Sequence, residues 1–240
     1  MTHLLYRTEP DATHCTAQVI AWGEDEKGGW IATDRTPFYP QGGGQMSDRG
    51  TLTLGDHTAD VHLALLRDGS VRHYLTALPA TLTAGDAVEL VIDADFRRLA
   101  SRSHSAGHLI SHVVETLQPG LLPDKGHHFL PGAYVEFQGE LQEDAQTFLQ
   151  QAQQQVNAAI AAALPVNIAE SSFSQIAALR PELADKIPQQ AQIRTVTIGD
   201  YRPFACGGTH VSQSAEIGEL MLRKIKQKNG VRISYELLPG

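Results

Sequence analysis

Two short clusters in the sequence carry residue types able to hold a metal ion. One is His104-Ser-Ala-Gly-His108; the other, far downstream, is Cys206-Gly-Gly-Thr-His210. On a helix, positions i and i+4 share a face, so His104 and His108 would aim both imidazoles at one spot. His112 continues that face, but at ~1.5 Å rise per residue it lies ~12 Å along the axis from His104. A zinc ion takes its ligands at ~2 Å, so His104 and His112 cannot share one, and His112 is expected in the core or behind the site. Gly207 and Gly208 disfavour a helix and predict a tight loop able to wrap a cation. Three imidazoles and a thiolate are borderline-soft donors, which select zinc over magnesium or calcium. The wide separation means a site assembled by the fold, with one Zn2+ per chain. Ser105 stands where an H-E-x-x-H metalloprotease needs its glutamate base, so that chemistry is excluded. The helix pair alone would equally suit two histidines without a metal; the Cys/His loop is what tips the reading.

These clusters need a scaffold, and 240 residues allow two modest domains. The chain is 42% hydrophobic and 19% charged, enough for each half to build a core. No stretch has the run of apolar residues that spans a membrane, and the start lacks a basic region followed by an apolar one. A soluble, cytoplasmic protein with no membrane partner is expected. Cys15 and Cys206 are the only two cysteines, and in a cytosolic setting they stay reduced. The formal net charge of −8 argues against a surface coated with nucleic acid, though not against a local basic patch.

The first domain, 1–93, reads as all-β. Strand-like runs cover Cys15 to Trp22, Trp30 to Thr33, Thr51 to Leu54, Asp60 to Leu66, Val71 to Leu75 and Ala87 to Ile92. Asp68-Gly69 is a hairpin signal between two of them. Short strands with close turns predict a small barrel or sandwich. The second domain, 94–240, reads as α+β. Asp95 to Leu117 has helical periodicity through Leu99, Leu109, Ile110, Val113 and Leu117. Glu140 to Leu164 is a Gln- and Ala-rich helix with a core face of Phe148, Leu149, Val156 and Ile160. Strands are expected at Ala133 to Gln138, Val166 to Ala169 and Ile193 to Ile198. Gly218 to Leu238 reads as a hairpin turning at Lys228-Asn229-Gly230.

With both clusters in view, the chain resembles the alanyl-tRNA editing family: the editing domain of alanyl-tRNA synthetase and the free-standing AlaX proteins, most of all their medium-sized class. Asp34 to Gln45, with Gly42, Gly43 and Gly44, looks like the family's glycine-rich motif and runs on to Ser47-Asp48-Arg49-Gly50. His104 to Ile110 looks like its zinc helix, Phe204 to Val211 like its Cys-Gly-Gly-Thr-His loop, and Gly230 to Ile233 like its closing hairpin. The motifs come in the family's order across nearly the whole chain. Two positions depart from the synthetase pattern: Gly107 where Thr is usual, and Asp124 where Gln is usual.

The resemblance implies a trans-editing hydrolase that cuts the aminoacyl ester of mischarged Ser-tRNA(Ala), with Gly-tRNA(Ala) as a further substrate. His104, His108, Cys206 and His210 would be both the zinc ligands and the catalytic centre. Zinc would lower the pKa of a water to about 7 or hold the substrate; four protein ligands leave no obvious position for that water. Thr36, Gly43, Gly44, Gln45, Asp124, Lys125, Gly207 and Thr209 are the candidate substrate contacts, with Thr36 best suited to bond a serine hydroxyl. His127 and His128 could add contacts to the ribose or the amino group; a solvated loop is the plainer reading of 124–128. Lys224, Lys226 and Lys228 would align on one face of the closing hairpin and, with Arg232, contact phosphate of the tRNA(Ala); an ordinary soluble edge accounts for them equally well. Two other readings stand beside this one. The metal could staple a non-catalytic protein that binds RNA or a partner, or the substrate could be another tRNA, such as Ser-tRNA(Thr).

Overall fold

A computed structural model describes residues 1–189 and 191–238. They group into two compact units, Met1–Gly42 with Met46–Leu99, and Gly43–Gln45 with Ala100–Gly240. The division falls inside a long helix rather than at Asp93, and the three residues Gly43–Gln45 belong with the second unit.

The first unit is a closed six-stranded barrel. Its strands are His14–Asp25, Gly28–Thr33, Gly50–Leu54, His57–Arg67, Ser70–Leu75 and Ala87–Ile92. The first and last pair in antiparallel register, His14 opposite Val91, which closes the ring. Alternation drives it: in Ala87–Ile92 every second residue, Val88, Leu90 and Ile92, is buried, the period a half-buried strand requires. The inward residues make one core with Val19, Ile31, Phe38, Leu52, Val61 and Val71. The hairpin at Asp68-Gly69 forms with both residues at positive φ, 49° and 76°, as a tight two-residue turn demands.

In the second unit a four-stranded sheet runs in the order Leu220–Gln227, Val231–Leu237, Tyr134–Gln138, Leu122–His127. A second sheet joins Val166–Ser171, Ile193–Ile198 and Phe204–Ala205. The long helix, Ala94–Leu117, starts where Asp93 Oδ1 accepts the Phe96 N–H at 3.0 Å. Its Ala106, Leu109, Ile110, Val113 and Val114 pack with Val135, Phe137, Ile233 and Tyr235 of the larger sheet, and with Phe148, Ala152 and Val156. Those last three lie on the helix Ala145–Ala161. That helix is shorter than the pattern from Glu140 to Leu164 suggests. Asp144 takes an extended backbone and its carboxylate accepts the N–H groups of Gln146 and Thr147, so the helix begins after it.

Leu122–His127 is a strand where a loop was expected. Its Pro123 and Gly126 hide it from sequence patterning, and its place at the sheet edge is where Pro is tolerated. The helix Phe173–Leu179, with a Ser172/Gln175 capping box, and the 3-10 turn Pro181–Lys186 were likewise not foreseen. The closing hairpin turns at Lys228-Asn229-Gly230 as expected, with Asn229 and Gly230 at φ 55° and 121°. No helix among the described residues is long and apolar enough to cross a membrane.

Candidate metal centre and cavity

His104 and His108 sit one turn apart on the long helix, and Cys206 and His210 on the loop after Phe204–Ala205. One donor atom from each lies within 4.8 Å of every other. Cys206 Sγ is 3.5 Å from His104 Nε2 and 3.3 Å from His210 Nε2. Tetrahedral zinc with bonds of ~2.1 Å to N and ~2.3 Å to S separates such atoms by about 3.6 Å, so these donors already stand near that spacing.

The second nitrogens of two rings are held. Gln45 Oε1 lies 2.7 Å from His104 Nδ1 and accepts the Thr209 N–H at 2.9 Å. A carbonyl oxygen can only accept, so His104 carries its proton on Nδ1 and turns the Nε2 lone pair toward Cys206. Ser105 Oγ, which accepts the Val211 N–H, lies 3.0 Å from His210 Nδ1; a hydroxyl can donate or accept there. Partners on the non-ligating nitrogen are what orient metal-binding histidines. His108 Nδ1 is buried without a hydrogen-bond partner. The loop folds tightly because a Cβ on Gly208 would come 2.2 Å from His104 Cε1, and the Gly208 N–H points at Cys206 Sγ, 3.3 Å away.

Burial, and then the neighbouring imidazoles, push His104 and His108 well below the usual histidine range. Burial, with Arg194 and His128 adding, takes His210 down to about 3. The thiol of Cys206 is raised by burial to about 11. In the absence of a cation the cluster is therefore neutral, with imidazole lone pairs free. Such a set fits zinc, which would displace the thiol proton on binding.

Beside the cluster lies a cavity of about 220 Å³, lined in part by Gly43, His104, His108, Asp124, Lys125 and Gly207. Gly43 and Gly207 of the expected contacts thus line it, as do Asp124 and Lys125. The Asp124 carboxylate is engaged by Lys186 and by Gln138 Nε2 at 3.0 Å, and Lys186 holds its pKa below the usual range. Gln45 and Thr209 are buried behind the metal cluster instead. Gln45 Nε2 donates to Thr209 Oγ1 at 2.8 Å, and Thr209 Oγ1 is 2.7 Å from Ser101 Oγ. Gly44 accepts the His128 N–H at 2.8 Å through its carbonyl.

Thr36 belongs to the barrel unit. It is wholly buried there. His73 Nδ1 faces the Ile31 carbonyl at 3.0 Å, so Nε2 is the acceptor and takes the Thr36 hydroxyl proton at 2.8 Å. Thr36 Oγ1 also accepts the Phe38 N–H. Its hydroxyl is therefore hydrogen-bonded within the barrel unit.

Three other residues went unnoticed or underrated in the sequence. Arg180 is fully buried, stacks 3.9 Å over Phe204 and holds Glu115 and Glu182. Phe204 in turn meets the His108 ring edge-on at 5.0 Å. His128 stacks on His104 with ring centroids 4.6 Å apart, and Tyr235 Oη is 2.7 Å from its Nδ1. A Cβ on Gly107 would lie 2.1 Å from His128 Cε1, so the departure from Thr at this position has a steric cause: the His128 ring occupies the space. His112 lies outside the cluster, stacked on Tyr201 with centroids 4.8 Å apart.

On the closing hairpin Lys224 and Lys226 lie opposite Ser234 and Arg232, and both are exposed. Lys228 does not continue their row, because the strand ends at Gln227 and Lys228 donates its N–H to Gly230 within the turn. Arg232 is paired with Glu136 and stacks on Tyr134.

Residues 11–96 match the family model for class II (A) tRNA synthetases, and residues 193–233 match that of the threonyl and alanyl tRNA synthetase second additional domain. The alanyl-tRNA editing protein AlaX-M of Methanosarcina acetivorans is 30% identical, over 99% of this chain and 100% of its own. AlaX-L of Pyrococcus horikoshii is 29% identical over 98% of the chain, which spans 58% of that longer relative. The alanine–tRNA ligase of Nitrosococcus oceani is 32% identical over 90% of the chain, which covers 24% of the ligase.

Proposed function

The chain belongs to the alanyl-tRNA editing protein family, and from that membership we propose that it hydrolyses the ester linking a wrong amino acid to tRNA(Ala), with seryl and then glycyl esters as substrates. The observation that carries the reading is the convergence of His104, His108, Cys206 and His210, the first three of which line the wall of a small cavity. At about 220 Å³ the cavity suits a small aminoacyl group rather than a drug-sized ligand, whose sites run to ~300 Å³ and more.

The four donors would hold one zinc ion, which supplies carbonyl polarisation or a water of lowered pKa. The chain's own residues do the positioning. Gln45 keeps the His104 lone pair aimed at the cluster, and a hydrogen bond between Ser105 and Nδ1 holds the His210 ring in place. The neutral state of the buried imidazoles keeps their nitrogens available as donors to a cation. Gly43, Gly126 and Gly207 leave the cavity wall without side chains, so an ester can approach the backbone. Lys224 and Lys226, exposed on one face and without an acidic partner among the described residues, would meet phosphate of the acceptor end.

The test is deacylation of Ser-tRNA(Ala), Gly-tRNA(Ala), Ala-tRNA(Ala) and Ser-tRNA(Thr), repeated with His108→Ala and Cys206→Ala. Hydrolysis of the first two, lost in folded variants, is the expected result. Folded, zinc-loaded protein that hydrolyses none of the four would leave the cluster as a structural staple and end the enzymatic reading.

A further inference from the structure

The cavity holds one polar atom whose state the hydrogen-bond network decides. Tyr235 Oη donates its single proton to the Ser103 carbonyl at 2.8 Å. It must therefore accept from His128 Nδ1, 2.7 Å away, and the His128 proton sits on Nδ1. The other nitrogen, Nε2, is left as a bare acceptor with no hydrogen-bond partner among the described residues. The residue is only 4% exposed and lines the cavity.

The ring is held by its backbone, by Nδ1 and by one stacked face. Its backbone N–H goes to Gly44 O, and its carbonyl accepts from Ser103 Oγ at 2.9 Å. One ring face stacks on His104 at an interplanar angle of 23°. The Cε1–Nε2 edge runs between two residues that have no room for a side chain while the ring is in place. A Cβ would come 2.1 Å from Cε1 at Gly107 and 2.3 Å from Nε2 at Gly126. The ring thus fills the room that side chains at 107 and 126 would need; His128 lines the cavity, and its Nε2 is not among the fully buried atoms that lack a partner, so a ligand atom in the cavity can reach it.

We propose that His128 Nε2 accepts a hydrogen bond from a donor carried by the bound aminoacyl group, and so helps to select it. The inference rests on the editing function proposed above. The donor is an N–H or O–H of that group: the α-amine, common to all aminoacyl esters, or the serine hydroxyl. Where the bound group seals the acceptor from water, a competitor that lacks the donor is penalised, because the nitrogen then stays unpaired. His128 acts here as a specificity residue, with Tyr235 and Ser103 setting its tautomer.

Three variants and one spectrum test this. His128→Phe keeps the stacked ring and removes the acceptor; His128→Gln returns an acceptor; Tyr235→Phe removes the tautomer lock. Zinc content and thermal midpoint establish that each is folded. If the donor is the serine hydroxyl, His128→Phe lowers kcat/KM about 10- to 100-fold on Ser-tRNA(Ala) and little on Gly-tRNA(Ala). If it is the α-amine, both fall together. His128→Gln recovers part of the loss, and Tyr235→Phe shows a smaller one. Independently of turnover, ¹⁵N-histidine spectra of the wild-type protein should show His128 protonated on Nδ1. Seryl-3′-amino-3′-deoxyadenosine, whose amide is not cleaved, should shift the Nε2 resonance. A proton found on Nε2, or a folded His128→Phe with unchanged rates on both esters and no Nε2 shift, overturns the inference while leaving the editing reading intact. An Nε2 shift in a protein that hydrolyses no ester upholds the contact and removes the editing reading. Absence of both sinks both.

Discussion

Replacing Gln45 by Ala should weaken zinc binding from outside the ligand set. Gln45 makes three bonds in a site where it is 1% exposed: to His104 Nδ1 at 2.7 Å, from the Thr209 N–H at 2.9 Å and to Thr209 Oγ1 at 2.8 Å. Alanine leaves the His104 and Thr209 donors without an acceptor where water has little access. Each such group costs ~1–3 kcal/mol, so the metal-free fold should lose about 3 kcal/mol. Separately, the His104 ring loses the contact that fixes its tautomer and orientation, and loss of such a partner typically lowers metal affinity about 10- to 100-fold. Chelator competition reads the second effect and urea denaturation of the metal-free protein reads the first. Gln45→Glu keeps an acceptor facing His104 and should recover most of the affinity. A folded Gln45→Ala protein that binds zinc as tightly as the parent would refute the orienting role, whatever its stability.

Gly208→Ala places a methyl 2.2 Å from His104 Cε1; it should displace that ring and cut zinc stoichiometry well below one per chain, measured by metal analysis of folded protein. The barrel should weaken in acid through His73, whose pKa burial lowers from 6.5 to about 4. Between those values the unfolded chain takes a proton that the folded barrel refuses, so this contribution to stability, intact above pH 6.5, is lost as the pH falls, at roughly 1.4 kcal/mol per pH unit. Urea midpoints from pH 7 to 4.5 should fall less steeply for His73→Leu than for the parent; parallel slopes would contradict the assignment. Reversing charge at Lys224 and Lys226 should weaken tRNA deacylation and flatten its salt dependence by about two in log–log slope, and an unchanged slope would remove the phosphate patch.

What could be read from the sequence depended on whether a signal is periodic. Alternation in runs such as Ala87–Ile92 marks barrel strands, and the i, i+4 spacing of His104 and His108 marks a shared helix face. Leu122–His127 has no such pattern, because an edge strand tolerates the Pro and Gly that disguise it. Thr36 drew attention for its hydroxyl, yet nothing in the sequence shows that His73 already takes that proton. His128 and Tyr235 are brought together from 107 positions apart, and Arg180 finds Glu115 across 65. Such meetings follow from tertiary packing alone. Gln45 reads as a substrate contact from its place in the glycine-rich motif; that its oxygen meets His104 and the Thr209 N–H is set by tertiary packing.

The overlap between a Cβ at Gly107 and the His128 ring also constrains how such a chain can change by mutation. Position 107 can gain a side chain only after position 128 has lost its ring, since the reverse order passes through two groups in one place. The two substitutions are therefore strongly epistatic, and their order is dictated: 128 first, 107 second. A pocket with a branched residue at 107 and one with an imidazole at 128 are alternative ways of filling the same volume, joined by a single passable route.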